Sequence, residues 1–142
     1  MCLTPGSEST LVRVAKNTVV LQGTAVTFEC SSDVGNSILY WYNSLCLNDG
    51  NIDNCINDVV YTGYTVNTGY PQRFSVTPVD NATHKTRDLN INQTQLTDAG
   101  VYLCAEFILL DIVSNSSIQL VVLGMKTTYS KHTLSYFTLE YI

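Results

Sequence analysis

The chain has 142 residues, of which 45% are hydrophobic, 10% aromatic and 13% charged. This composition is typical of a globular domain and excludes a disordered tail, a coiled coil and a collagen-like rod. The net charge is −5 and the seven basic residues are scattered along the chain. Because no basic patch can be built from them, nucleic-acid binding is excluded as a function.

Short alternating segments rich in β-branched and aromatic residues recur between clusters of Gly, Asn, Asp, Ser and Pro, and no segment keeps a helical period over three turns. About nine short strands at this spacing predict an all-β sandwich or barrel. A strand is expected to stop at Pro78, and a long loop is expected from Glu106 to Ser117. The candidate strands, in chain order, are 11–14, 18–21, 25–30, 38–42, 59–61, 64–66, 73–77, 88–91, 101–105 and 118–123.

Five cysteines and three Asn-x-Ser/Thr sequons, at Asn81, Asn92 and Asn115, favour an oxidising, glycosylating route. The first seven residues have neither the basic start nor the apolar run of a signal peptide. No apolar run is long enough to span a membrane. We therefore expect an extracellular or cell-surface piece of a longer secreted or membrane-attached protein, or an incomplete gene product. Signal peptide, anchor and membrane insertion are not expected within this segment.

Three residues and one short run carry a family resemblance. Cys30 precedes Trp41 by eleven positions, and Cys104 ends the run Asp-Ala-Gly-Val-Tyr-Leu-Cys that begins at Asp98. The pattern resembles the variable-type domain of the immunoglobulin superfamily over roughly residues 11–124. The joining-segment motif F-G-x-G of antigen receptors is absent near Ser116. The resemblance is therefore to a receptor or adhesion module of the same shape.

The resemblance implies an immunoglobulin-like β-sandwich, V-type, with about nine antiparallel strands in two sheets joined as a Greek key. It implies a Cys30–Cys104 disulfide covered by Trp41, and a tyrosine corner at Tyr102. Arg73 and Asp98 match the pair that forms a salt bridge at the base of such domains. Leu89, in an alternating segment, is assigned to the core with Trp41 and Tyr102.

Two of the remaining cysteines, Cys46 and Cys55, lie nine positions apart around an Asn- and Asp-rich insertion. We predict that they pair and so fix the insertion between strands C and C′. Cys2 is then left over, either as the remnant of a removed or missing segment or as the partner of another chain.

The candidate binding surface follows from strand alternation. With Trp41 and Cys104 facing inward, Tyr40, Tyr42, Leu103 and Ala105 face outward on the sheet made by strands G, F, C and C′. Tyrosines on a flat sheet face are typical of interface cores. The F–G segment adds an unusually apolar run that includes Phe107, Ile108, Leu109 and Leu110. This run is either a contact surface or a hairpin that packs inward.

The sequence does not indicate an enzyme. His84 and His132 have no base-orienting partner, and no glycine-rich phosphate loop is present. The insertion at 49–60 lacks the glycine and glutamate that a calcium loop requires. We therefore expect neither a cofactor nor a metal.

Three functions stay open. The first is recognition of another extracellular protein, or of a second copy of this chain, through the GFCC′ face and the F–G loop. The second is a secreted pattern-recognition or carbohydrate-binding module that uses the polar loops 31–37 and 48–58. The third is a structural spacer in a multi-domain ectodomain. Residues 1–10 are predicted to be an N-terminal extension, residues 11–124 the domain, and residues 125–142 a tail that is disordered or begins a truncated neighbouring segment.

Overall fold

A computed structural model describes residues 10–46, 55–129 and 135–141, and the surroundings of the side chains of 10–44 and 58–124. Within these ranges the chain forms eleven strands and one 3₁₀ turn at Leu96–Asp98. The strands are β1 Leu11–Val14, β2 Thr18–Leu21, β3 Val26–Phe28, β4 Cys30–Ser32, β5 Ile38–Cys46, β6 Cys55–Tyr61, β7 Phe74–Asp80, β8 Lys85–Ile91, β9 Gly100–Ile108, β10 Asp111–Tyr129 and β11 Ser135–Tyr141.

The strands form two sheets that face each other. One sheet has the order β1-β4-β8-β3, with β7 paired to the outer side of β8, and the other has the order β11-β10-β9-β5-β6. The short strand β2 runs parallel to β10 at residues 120–123, so the N-terminal segment changes sheets between β1 and β2. The fold is thus the predicted V-type β-sandwich, in which β5, β6, β9 and β10 are strands C, C′, F and G.

The core lies between the sheets and is centred on three aromatic rings. The ring centroid of Phe28 is 6.4 Å from that of Trp41 and 5.6 Å from that of Tyr102. All three side chains are fully buried, as is Leu89. The indole N–H of Trp41 donates to the carbonyl of Arg87 at 2.6 Å, which satisfies its one polar atom.

A disulfide joins Cys30 and Cys104 across the sandwich, with a Cα–Cα separation of 6.5 Å. In the chain-entropy model, a cross-link that spans 74 positions stabilises the fold by about 4 kcal/mol. The two sheets are therefore held together covalently at the point where the aromatic rings pack.

The expected long loop from Glu106 to Ser117 is wrong. Strand β9 continues to Ile108 and β10 begins at Asp111, so only Leu109 and Leu110 connect them. The alternation of the preceding strand simply continues through Glu106, because its carboxylate finds hydroxyl donors inside the sandwich. The segment is a hairpin, as one of the two alternatives expected, but its tip is exposed rather than packed inward, so the alternative of a contact surface stays open.

Several other strand limits also differ, among them those at Pro78 and at residues 64–66. Strand β7 passes through Pro78 and ends at Asp80. Strand β7 pairs with β8 on one side only among the described residues, so the proline ring, which lacks an N–H, is tolerated at this edge. The expected strand 64–66 is reduced to a single bridge between Val66 and Tyr61.

The C-terminal residues continue the second sheet. Strand β10 extends to Tyr129, and β11 pairs with it from Leu123↔Tyr141 to Tyr129↔Ser135. The structure thus gives 125–129 and 135–141 strand backbone, consistent with their content of Thr, Tyr and Phe. The division of the chain into an extension, a domain and a tail stays a prediction. The prediction for Cys2 and that for residues 48–54 lie outside the described residues.

Candidate functional site: the GFCC′ face

The GFCC′ face is the outward side of β6, β5, β9 and β10. Two rows of side chains cross it, because partners in an antiparallel ladder project from the same side of the sheet. One row contains Tyr40, Ala105 and Asn115, and the next contains Tyr42, Leu103 and Ser117. The alternate positions, such as Trp41 and Cys104, point into the core.

An aromatic cluster of Tyr40, Tyr42 and Phe107 occupies the centre of this face. The rings of Tyr40 and Tyr42 are stacked with centroids 5.9 Å apart, and Phe107 lies 4.8 Å from Tyr40 in a tilted arrangement. Partial burial, with a smaller contribution from Tyr40, raises the pKa of the Tyr42 phenol. The cluster is half-buried, so part of the surface of each ring still meets solvent.

The tip of the β9–β10 hairpin stands beside this cluster. Leu109 is 87% exposed and Leu110 is 93% exposed, in a two-residue turn where Gly, Asn or Asp is the usual residue. Leu109 also has a φ of 59°, in the left-handed region that favours glycine or asparagine. The two leucines, the aromatic cluster and Ile38 line a shallow groove of about 300 Å³.

Gly63 lies in the turn after β6, next to Ile38 and Tyr40 at the same end of the face. Its φ is 89°, and a Cβ atom there would lie 2.4 Å from Cγ2 of Ile38 and 3.2 Å from a ring carbon of Tyr40. Only glycine lets the turn after β6 approach these side chains so closely. The turn thereby packs against Ile38 and Tyr40.

The residues predicted for partner binding do not all lie together. Tyr40, Tyr42, Leu103 and Phe107 share the outward face, and the hairpin tip continues it. Ile108 follows Phe107 directly, so strand alternation places it on the opposite side of the hairpin. Ala105, expected to face outward, lies in the outward row but is buried.

The three sequons occupy different parts of the molecule. Asn81 is exposed in the turn between β7 and β8, where its Oδ1 accepts hydrogen bonds from the backbone N–H groups of Thr83 and His84. Asn92 is exposed just after β8, and the hydroxyl-bearing residue of its sequon, Thr94, is fully buried. Asn115 lies within β10 on the GFCC′ face. Asn115 is therefore not in a loop, as the expected loop from Glu106 to Ser117 implied, because only two residues connect β9 and β10.

The base of the sandwich carries the ion pair and the tyrosine corner. Both terminal nitrogens of Arg73 donate to the carboxylate of the buried Asp98, and this contact raises the pKa of the guanidinium. The same carboxylate accepts the N–H of Gln95 at 2.8 Å, and the Tyr102 hydroxyl donates to the carbonyl of Asp98 at 2.6 Å. Burial raises the pKa of the Tyr102 phenol. These groups bind one another, which is a structural arrangement rather than a catalytic one.

A concavity of about 390 Å³ lies beside this ion pair, lined by Asn43, Asp58 and Tyr70 among others. Among the side chains that the structure describes, no group of three or more His, Cys, Asp or Glu could hold a metal ion. The concavity at the base is lined mainly by polar residues, in contrast to the apolar groove at the other end, and the buried Oδ1 of Asn43 has no hydrogen-bond partner among the described residues.

Sequence reasoning missed the buried carboxylate of Glu106. Its side chain is fully buried and accepts hydrogen bonds from the hydroxyls of Thr10, Ser32 and Ser114. Counting two positions on from the inward Cys104 would have placed Glu106 inward. The carboxylate fixes the start of the hairpin relative to the other sheet, because Ser32 belongs to β4.

The sequence also matches a known family over most of this fold. Residues 13–123, well over half of the chain, match the family model of the immunoglobulin V-set domain. The chain belongs to the immunoglobulin V-set family. No curated protein matches it.

Membership sets the general class of function. V-set domains are usually extracellular binding domains that act on other proteins, and they are typically not enzymes. Within the described ranges, no helix has the length and apolar character needed to cross a bilayer. The V-set frame does not by itself specify a partner or a binding face, since loops and surface residues vary on one scaffold.

Proposed function

We propose that this V-set domain binds another extracellular protein through its GFCC′ face and the tip of the β9–β10 hairpin. The observation that carries the proposal is the pair of almost fully exposed leucines, Leu109 and Leu110, next to the aromatic cluster. Large apolar side chains that adjoin a half-buried aromatic patch are typical of an interface core.

The backbone at the tip supports the same proposal. A leucine in the left-handed region is less stable than a glycine there by about 1 kcal/mol. Strain of this kind is usually found where a side chain is needed for function. Leu109 is both strained and 87% exposed, so it contributes little to the stability of the isolated domain.

The alternative of carbohydrate binding gains less support. In the loop 31–37 the carboxylate-bearing Asp33 and the amide-bearing Asn36 are exposed, but Ser32 and Ser37 are fully buried. The Ser32 hydroxyl donates to Glu106, and the Ser37 hydroxyl donates to the carbonyl of Val34 at 2.8 Å. These two hydroxyls are engaged in hydrogen bonds within the domain and are not available to a sugar. The other polar loop, 48–58, lies largely outside the described residues.

The proposal is tested by screening the multimerised domain for binding to a panel of extracellular proteins that includes the domain itself, and to a glycan array. We expect a protein ligand and no glycan ligand. The double variant Tyr42→Glu/Leu103→Glu should weaken the protein interaction about thirtyfold or more, because charges would replace central interface residues.

The matched control is Ser75→Glu/Val79→Glu. Both control residues are exposed on β7 of the opposite sheet, so this variant adds the same charge to the other face. The control should bind like the wild type. Equal binding by the wild type, the GFCC′ double variant and the control double variant would refute the GFCC′ face as the binding surface. Glycan binding would support the carbohydrate module, and no binding to any member of the panel would support the spacer.

A further inference from the structure

Among the residues that the structure describes, β10 lies at the edge of its sheet where it carries the third sequon. Between residues 111 and 119 it pairs with β9 on one side, and β2 joins it only at residues 120–123. Asn115 is exposed, and no described residue hydrogen-bonds to its side chain. Its amide is thus open to solvent at the rim of the sheet.

The pairing of β10 with β9, and of β9 with β5, determines which side chains lie beside the Asn115 amide. Asn115 is opposite Ala105, and Ala105 is opposite Tyr40, so all three belong to one outward row. Adjacent strands are about 4.8 Å apart, which places Asn115 about 10 Å from Tyr40. A branched oligosaccharide of several sugar rings spans more than this distance. Ala105 is small, so no bulky side chain stands between the two.

We propose that Asn115 is a glycosylation site whose glycan lies over the aromatic cluster and controls access to the GFCC′ face. The amide nitrogen of Asn115 attacks the anomeric carbon of a polyprenyl-pyrophosphate-linked oligosaccharide. The N–C bond forms, the C–O bond to the pyrophosphate breaks, and the amide proton is lost with the pyrophosphate leaving group. The glycosylated chain binds its partner weakly, and the unglycosylated chain binds it fully.

The proposal rests on the proposed function only for its effect on binding. The position of the glycan does not depend on the proposed function, because it is measured by which tyrosines the glycan covers. The other sequons provide matched controls. Asn81 lies in the β7–β8 turn of the opposite sheet, so a glycan there is remote from Tyr40. Removing the sequon through Thr94 or Ser117 is avoided, since Thr94 is buried and Ser117 belongs to the row of Tyr42.

The experiment uses the full chain secreted from a glycosylating host behind an added leader, as wild type, Asn115→Gln and Asn81→Gln. Peptide mapping by mass spectrometry measures occupancy at Asn115. Iodination rates then report the accessibility of individual tyrosines, with the 75% exposed Tyr64 as the internal reference. We expect a glycan on Asn115 in the wild type. We also expect Tyr40 and Tyr42 to be iodinated faster in Asn115→Gln than in the wild type, and no faster in Asn81→Gln.

Two results would overturn the proposal: an unoccupied Asn115, or identical iodination of Tyr40 and Tyr42 in the wild type and Asn115→Gln. Binding to the panel separates this proposal from the proposed function. One combination of results is that the glycan protects Tyr40 and Tyr42 from iodination while Tyr42→Glu/Leu103→Glu binds the partner as well as the unglycosylated chain does. That combination would support the position of the glycan and refute the GFCC′ face as the binding face.

Discussion

Single residues at the base of the sandwich hold the β9 strand in place. The Tyr102 hydroxyl donates to the carbonyl of Asp98, and the Asp98 carboxylate binds Arg73. Both Tyr102 and Asp98 are buried, so their polar atoms depend on these contacts. The resemblance of the run that ends at Cys104 to variable-type domains implied this arrangement.

Replacing Tyr102 by phenylalanine should lower the free energy of unfolding by about 1–2 kcal/mol, since it removes one buried hydrogen bond and leaves a carbonyl unpaired. Chemical denaturation of the oxidised chain measures the change. The control is Tyr64→Phe, at an exposed position where no effect is expected. Equal stability of Tyr102→Phe and wild type would contradict the tyrosine corner.

The same residue predicts a pH dependence. Burial raises the pKa of Tyr102 above its ordinary value of 10, so above pH 10 the unfolded chain loses this proton before the folded chain does. The wild type should therefore lose stability as the pH rises past 10, and Tyr102→Phe should lose less. The difference in free energy of unfolding between the two proteins should narrow above pH 10. A difference that stays constant would contradict a buried, protonated phenol.

Glu106 shows what residue-level reasoning overlooked. A charged residue beside an apolar run suggested a loop, but hydroxyls from Thr10, Ser32 and Ser114 solvate its carboxylate within the sandwich. These donors lie far apart along the chain. Composition and alternation can place a side chain inward, but they do not show which distant donors meet it.

We expect Glu106→Ala to destabilise the fold by about 2–3 kcal/mol, because it strands buried hydroxyls and leaves a cavity. Thermal or denaturant unfolding provides the measurement. Glu29→Ala is the comparison, since Glu29 forms an ion pair with Arg13 in which both side chains are 50% exposed. Such a surface pair contributes little to stability. Equal costs for the two variants would contradict the buried carboxylate network.

At the scale of elements, two strand pairs of the second sheet give testable predictions: β5–β6 for a second disulfide and β9–β10 for the role of Leu109. The β5–β6 ladder places Cys46 directly opposite Cys55, with backbone pairing from Trp41 to Cys46. Opposed residues in an antiparallel ladder have Cα atoms about 4.5–5.5 Å apart, within the range that a disulfide spans. The cysteine side chains lie outside the described residues, so the Cys46–Cys55 bond stays a prediction.

Non-reducing peptide mapping should recover Cys46 linked to Cys55. Replacing both by serine should lower the free energy of unfolding by about 2.5–3 kcal/mol, the value expected for closing a loop of about ten residues. A link from Cys46 to Cys104 would contradict both this pairing and the Cys30–Cys104 disulfide.

The β9–β10 hairpin should show opposite effects on stability and binding. Leu109→Gly relieves the left-handed strain and should raise the free energy of unfolding by up to about 1 kcal/mol, partly offset by the greater freedom of glycine in the unfolded chain. The same change removes an exposed leucine and should weaken partner binding. Unfolding and binding measured on one preparation test both effects. A variant that is less stable yet binds normally would contradict a functional role for the strain.

On the scale of the whole molecule, local alternation predicted an all-β sandwich or barrel. The resemblance carried by a few distinctive residues implied the two-sheet form and the Cys30–Cys104 disulfide. The sequence did not predict the parallel pairing of β2 with β10, the passage of β7 through Pro78 or the place of Asn115 on the sheet face. Each of these depends on which strand lies next to which. That neighbour relation is set by long-range packing and leaves no periodic signal in the chain.

We propose that the molecule recognises its partner with the GFCC′ face. Hydroxyl-radical footprinting of the unglycosylated domain, free and bound to the protein that the panel identifies, tests it directly. We predict protection on binding at Tyr40, Tyr42, Phe107 and Leu109, with no change at Val79 on the opposite sheet. Protection confined to β7 and β8, with the aromatic cluster as reactive as in the free domain, would contradict the account.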